Sequence, residues 1–110
     1  IAAERMKQML RFVEEHYAEE LTVEKIAACV ALSESACLRS FRQLLGTTPI
    51  QYVKQYRVEK AAELLRSTCL KTGEIGAECG FADGSYFIKT FREVKHCTPL
   101  EYRQRFGLEA

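Results

Sequence analysis

The sequence predicts an all-α protein built from two copies of one helical unit. Two observations carry that fold class. Apolar residues recur at spacings of three and four along most of the chain, and no strand-length alternating run competes with them. Residues 21–52 and 70–102 also repeat one another. The earlier copy reads A31-L-S-E-S-A-C-L-R-S-F-R-x5-T-T-P49, and the later reads G80-F-A-D-G-S-Y-F-I-K-T-F-R-x4-C-T-P99. Phe41, Arg42, Thr48, Pro49 and Tyr52 recur as Phe91, Arg92, Thr98, Pro99 and Tyr102. Leu21, Ile26 and Ala28 recur as Leu70, Ile75 and Ala77, one register earlier. The offset falls between Leu32/Phe81 and Phe41/Phe91, where a turn between helices is expected.

Each element has a local reason. Met6, Met9, Leu10, Val13 and Tyr17 form one stripe and predict a helix over 4–18. Thr22 caps a helix over 23–31, with Val23, Ile26, Ala27 and Val30 turned inward. Leu32 and Ser33 are read as a tight turn, and Ser33 caps a third helix over 34–45 that Gly46 stops. Thr48-Pro49 is a cap followed by proline at the first helical position. It opens a helix over 49–66 with a stripe of Val53, Tyr56, Ala61, Leu64 and Leu65. At about 1.5 Å per residue that helix is roughly 27 Å long, enough to join two units. The plan then repeats: a helix over 71–79, a Gly80-Phe81 turn, Asp83 as cap, and a helix over 84–95. Thr98-Pro99 opens a last helix ending near Phe106, and 107–110 are read as a ragged end. The expected division is a first subdomain over 1–48, a linker helix over 49–66 and a second subdomain over 67–110.

Composition excludes several classes. No run of about 18 apolar residues marks a transmembrane helix, and no signal-peptide pattern is present. The chain starts at Ile1 rather than Met, so a fragment lacking a partner domain is expected. The five cysteines are odd in number and form no C-x-x-C, which argues against a disulfide framework or a zinc site. Free thiols fit the cytoplasm. Cys29 and Cys37 are expected in the core. His16 and His96, the two histidines, belong to no catalytic or metal motif, so no enzyme, metal or cofactor is expected. Gly73-x-x-Gly76 lies inside a helix pattern and opens no phosphate loop.

The net charge is +1, but its distribution is uneven. Residues 1–24 are acidic. Arg39, Arg42, Lys54, Arg57 and Lys60 face Glu59 alone within 38–60, and Lys89, Arg92, Lys95, Arg103 and Arg105 face Glu93 and Glu101 within 84–106. Positive charge therefore follows the repeats, as for a local nucleic-acid-binding face on a nearly neutral domain.

Helical phase then separates core from surface on each third helix. Cys37 and Phe41, continued by Leu44 and Leu45, mark the inner side of the first, and Phe87 and Phe91 that of the second. Opposite them Ser35, Leu38, Arg39 and Arg42 recur as Ser85, Ile88, Lys89 and Arg92. A hydroxyl can bond a base edge, a branched aliphatic can meet a thymine methyl, and Arg39 or Lys89 can reach guanine O6 and N7. Arg42 and Arg92, one turn on, suit phosphates, as do the helix starts at Thr48 and Thr98.

The longest match is Arg57-x3-Ala61-x2-Leu64-Leu65, then Ile75-x4-Gly80-Phe81-x-Asp83-x-Ser85-Tyr86-Phe87-x3-Phe91-Arg92, then Thr98-Pro99-x2-Tyr102-Arg103. With these, Leu21 to Phe106 resembles the DNA-binding domain of AraC/XylS family transcription regulators. The resemblance implies seven helices in two helix-turn-helix subdomains joined by a long helix. It implies that the third and sixth helices enter successive major-groove segments on one DNA face. Ser35, Leu38 and Arg39 are then similar to base-facing residues of the first unit, and Gly84, Ser85, Ile88 and Lys89 to those of the second. Arg42, Thr48, Arg92 and Thr98 are assigned to phosphates. Double-stranded DNA and RNA polymerase are the implied partners, a sensing or dimerisation domain often precedes such a domain, and activation is the expected sign of regulation. Three departures from the pattern count. His96 stands where glycine is usual, which predicts a different helix end. Cys37 replaces a larger aliphatic residue, which predicts looser packing in the first unit. Leu38 and Ile88 are less polar than usual and favour methyl contacts over hydrogen-bonded readout. The alternative reading is a helical protein–protein interaction module, with outward Leu38 and Ile88 as its best support.

Overall fold

A computed structural model describes residues 2–108. Among these there are seven helices and no strand: α1 (Ala2–His16), α2 (Val23–Ala28), α3 (Glu34–Leu45), α4 (Pro49–Ser67), α5 (Thr72–Glu78), α6 (Gly84–Lys95) and α7 (Pro99–Phe106). The chain packs as two compact units, one up to Lys54 and one from Gln55 onward, so the boundary falls inside α4.

The first unit is closed by α1, α2 and α3. Met6, Met9 and Val13 of α1, Ile26 and Ala27 of α2, and Cys37 and Phe41 of α3 are buried together with Val53. Burying an aromatic or large aliphatic side chain in this way stabilises by about 1.5–3 kcal/mol. Cys37 is fully buried and its Sγ lies 3.8 Å from Met9 Sδ, so α1 supplies bulk beside the small thiol. Phe41 meets Tyr52 edge-on at 6.0 Å. The second unit buries Val58, Ala61, Ala62 and Leu65 of α4 with Ile75, Cys79, Phe81, Phe87, Phe91 and Tyr102. Its rings form a ladder: Phe81–Phe87 at 5.0 Å, Phe87–Phe91 at 5.9 Å and Phe91–Tyr102 at 5.5 Å. Gly76 is needed here, because a Cβ on it would come 2.6 Å from Phe87 Cδ2.

The predicted caps are in place. Ser33 Oγ accepts from Ala36 N at 3.1 Å, and Asp83 Oδ1 accepts from Tyr86 N at 2.7 Å. Thr22 and Thr48 do the same for Lys25 and Gln51. Several expectations need correction. α1 starts two residues before 4 and ends at His16, not 18. α2 stops at Ala28 rather than 31, and the turn comes earlier than Leu32-Ser33, because Ala31 takes a left-handed conformation. Leu32 N then bonds back to Ala27 O at 3.0 Å, as Phe81 N does to Gly76 O in the second copy. These are the 6→1 bonds of a Schellman-type stop. Cys29 falls in that turn and is exposed, not core. Leu44 and Leu45 are exposed as well, so the inner stripe of α3 ends at Phe41. α5 is shorter than 71–79 by one residue at each end. The ragged end expected at 107–110 lies partly outside the described residues, and Gly107 N closes α7 on Arg103 O.

His96 does not change its helix end. It takes φ 62° and ψ 21°, nearly the values of its counterpart Gly46 at φ 68° and ψ 19°. Each unit therefore has two left-handed stops, one at a glycine and one not: Ala31 with Gly46, and Gly80 with His96. A side chain in that region costs about 1–2 kcal/mol, and glycine avoids most of it. Ala31→Gly and His96→Gly should each stabilise by about 1 kcal/mol. Thermal melts check this, and a lowered midpoint in both variants would show that the left-handed stops are not as described.

Candidate nucleic-acid interface

Burial of Cys37 and Phe41 on α3, and of Phe87 and Phe91 on α6, turns the opposite side of each helix outward. At 100° per residue, Ser35, Leu38, Arg39 and Arg42 span an arc of roughly 100°, and so do Ser85, Ile88, Lys89 and Arg92. All eight are exposed, as is Gly84 at the start of α6. The apolar members decide the matter, since Leu38 is 40% and Ile88 46% exposed. Neither is a core residue. Gly84 has open space around the position a Cβ would take, so its smallness is not required by packing.

On α6 the exposed stripe forms a shallow depression lined by Ser85, Ile88, Lys89, Arg92 and Glu93. The sequence shows Glu93 as an acid within the second basic cluster but does not by itself put it on this face. Its phase, one turn beyond Lys89, was the available signal.

The two threonines act first as caps. Thr48 Oγ1 accepts from Gln51 N and Thr98 Oγ1 from Glu101 N, both at 3.1 Å. At the second helix start, Thr98 N also donates to Glu101 Oε1 at 2.8 Å, completing a capping box. Those bonds from Thr98 hold the Glu101 carboxyl below its ordinary value. A fixed carboxylate thus takes the Thr98 amide.

The structure also redistributes the basic clusters. Lys95 Nζ donates to Glu59 Oε2 at 2.9 Å. Arg103 donates to three backbone carbonyls, Leu65 at 3.3 Å, Leu70 at 2.6 Å and Thr68 at 3.1 Å, and so ties α7 to the end of α4. Both side chains are part of the scaffold. Lys60 lies 3.3 Å from Glu63. Arg57 is partly buried, which lowers its pKa from the usual guanidinium value. Arg39, Arg42, Lys89 and Arg92 are the cations on the outward faces of α3 and α6. Burial pushes the Cys79 thiol up to about 11 and raises Cys37 too, so both stay protonated and poorly nucleophilic near neutral pH. No group of three His, Cys, Asp or Glu side chains able to hold a metal ion occurs among the described residues. No helix of the described residues is long and apolar enough to cross a membrane.

A family model for a helix-turn-helix domain matches residues 26–105. An AraC-type DNA-binding transcriptional regulator from Chromobacterium violaceum has the same fold, with a TM-score of 0.90 and 30% identity over 98% of this chain and 96% of that one. The chain belongs to the AraC/XylS family. As a member it is the DNA-binding helix-turn-helix domain of a transcription regulator, and the family is one of regulators rather than enzymes. The transcriptional activator RhaS of Enterobacter sp. (strain 638) is 36% identical over 100 residues, which are 91% of this chain and 36% of RhaS. This AraC/XylS domain thus spans about a third of the length of the curated relatives it matches. The DNA-binding domain of the transcription factor AdpA, solved with a target DNA, has a TM-score of 0.87 and 28% identity over 93% of this chain and 92% of that one.

Exposure of Leu38 and Ile88 has a direct consequence. Leu38→Ala and Ile88→Ala should each change folding stability by no more than about 0.5 kcal/mol. Chemical denaturation reads this, and a loss of about 2 kcal/mol or more would place the side chain in a core.

Proposed function

We propose that α3 and α6 are two recognition helices that read successive major-groove segments of one duplex. The repeated exposed face carries the reading: hydroxyl, branched aliphatic and two cations in the same order and phase on both helices. Ser35, Leu38 and Arg39 face bases in the first unit, and Gly84, Ser85, Ile88 and Lys89 do so in the second. Arg42 and Arg92 contact phosphates, assisted by the helix starts at Thr48 and Thr98. Glu101 weakens the share of Thr98, because its carboxylate already takes the amide there. Residues 1–48 and 67–110 act as the two reading subdomains, with 49–66 as the joining helix. Leu38 and Ile88 suit thymine methyls. Arg39 supplies a planar fork for guanine and Lys89 a flexible ammonium without that fork, so the first unit discriminates more sharply.

The reading extends to the whole regulator. The likeness to RhaS, a named activator, supports activation, for which RNA polymerase is the partner proposed. The greater length of the relatives supports a longer cytoplasmic protein with a sensing or dimerisation domain.

Selection of bound sites from a random duplex pool tests the proposal. The parent should recover two half-sites about 10 base pairs apart. Arg39→Ala should relax one half-site, by about 1–3 kcal/mol of base discrimination, and Lys89→Ala the other, by less. Arg42→Ala and Arg92→Ala should weaken all sequences alike and flatten the log-log salt dependence by roughly one unit each. Relaxation of the same base pairs by Arg39→Ala and Lys89→Ala would contradict two separate readers. Absence of any duplex binding by the parent would favour a protein-interaction module.

A further inference from the structure

We propose that Glu93 is a sequence-independent brake on DNA binding by the second unit, a carboxylate held against the phosphate wall beside α6. The inference rests on the reading of α6 as a recognition helix. Glu93 is exposed and borders the same depression as Ser85, Ile88, Lys89 and Arg92, so whatever fills that face meets its charge. It is the tenth of the twelve residues of α6. At about 1.5 Å rise per residue it stands roughly 12 Å along the axis from Ser85. Base contacts come from the N-terminal part of a recognition helix, so the far end lies toward the backbone. Arg92, the neighbouring residue, is the cation assigned to that backbone. A carboxylate in that position faces phosphates within a Debye length, about 8–10 Å, where salt screens it incompletely.

The first unit lacks this charge. The repeat places Gln43 at the position of Glu93, and Gln43 is exposed and neutral. Ser35, Leu38, Arg39 and Arg42 correspond to Ser85, Ile88, Lys89 and Arg92, whereas at the helix start exposed Glu34 of α3 stands where α6 has Gly84. Toward the C-terminal end of the helix the second unit therefore carries a negative charge that the first does not have at the same position.

Glu93→Gln keeps size and hydrogen-bonding capacity and removes the charge. It is to be measured by titration against two duplexes, a site recovered by selection and a scramble of it, over a salt series. It should tighten both by a similar factor at low salt, about fivefold, the factor for one unit-charge contact at about 4 Å in water. The salt dependence should steepen by roughly one unit. Gln43→Glu should do the reverse in the first unit. Unchanged affinity and slope in Glu93→Gln, while Arg92→Ala still flattens the slope, would overturn the brake and leave the recognition-helix reading standing. A change confined to preference at one base pair, with slope unaltered, would make Glu93 a base reader and also overturn it. If Arg92→Ala leaves the slope unaltered too, α6 does not lie against the backbone, and both readings fall.

Discussion

Burial of one phenylalanine in each third helix, Phe41 in α3 and Phe91 in α6, fixes which side of that helix faces solvent. The remaining features of the outer surface follow from this. With the ring inside, residues two and three positions before it in the helix turn outward, as does the residue after it. Rotating α3 by one position would bury Arg42 and expose the phenyl ring, and an unpaired buried guanidinium is far costlier than the gain from any surface contact. The caps Ser33 and Asp83 set where each helix begins, so phase and start together place Ser35 and Ser85 in the first turn.

The two units satisfy the same plan with different volumes. In the second, a large Phe87 is accommodated because Gly76 has no side chain. In the first, the counterparts are Ala27 and Cys37: the space is shared the other way, and Met9 of α1 lies against the thiol. The smaller Cys37 is thus matched by a larger neighbour and an additional helix rather than left unsupported. The left-handed stops trade places in the same manner, glycine being used once per unit and at opposite ends of the unit's third helix.

Much of this was legible in the residues. Thr22, Ser33, Asp83, Thr48 and Thr98 cap helices because a short side-chain oxygen before an apolar run has few other uses. The single-residue offset between the repeats is Ala82, lying between Phe81 and the cap Asp83, where the sequence comparison put it. Other features were hidden. Cys29 reads as core on helical periodicity, but α2 has already ended and the periodicity no longer applies. Leu44 and Leu45 are apolar and in register, yet exposed near the end of α3. Lys95 and Arg103 count toward a basic cluster in the sequence, whereas their partners, Glu59 and the carbonyls after α4, are more than thirty residues away and cannot be seen locally. His96 looked like an exception on composition. The backbone nevertheless follows the glycine geometry, since the bond from its amide to Arg92 O closes the helix as in the first unit.

At the centre of the proposed function are two exposed helix faces that meet one duplex. Amide NMR of the chain during titration with a selected duplex tests that centre most directly. Shift changes should concentrate on residues 34–45 and 84–95 and on the starts of α4 and α7, with the acidic α1 and the core amides of Met9 and Ile75 little moved. Changes centred instead on α1, or on exposed Leu100, Phe106 and Leu108, with α3 and α6 unperturbed, would contradict it.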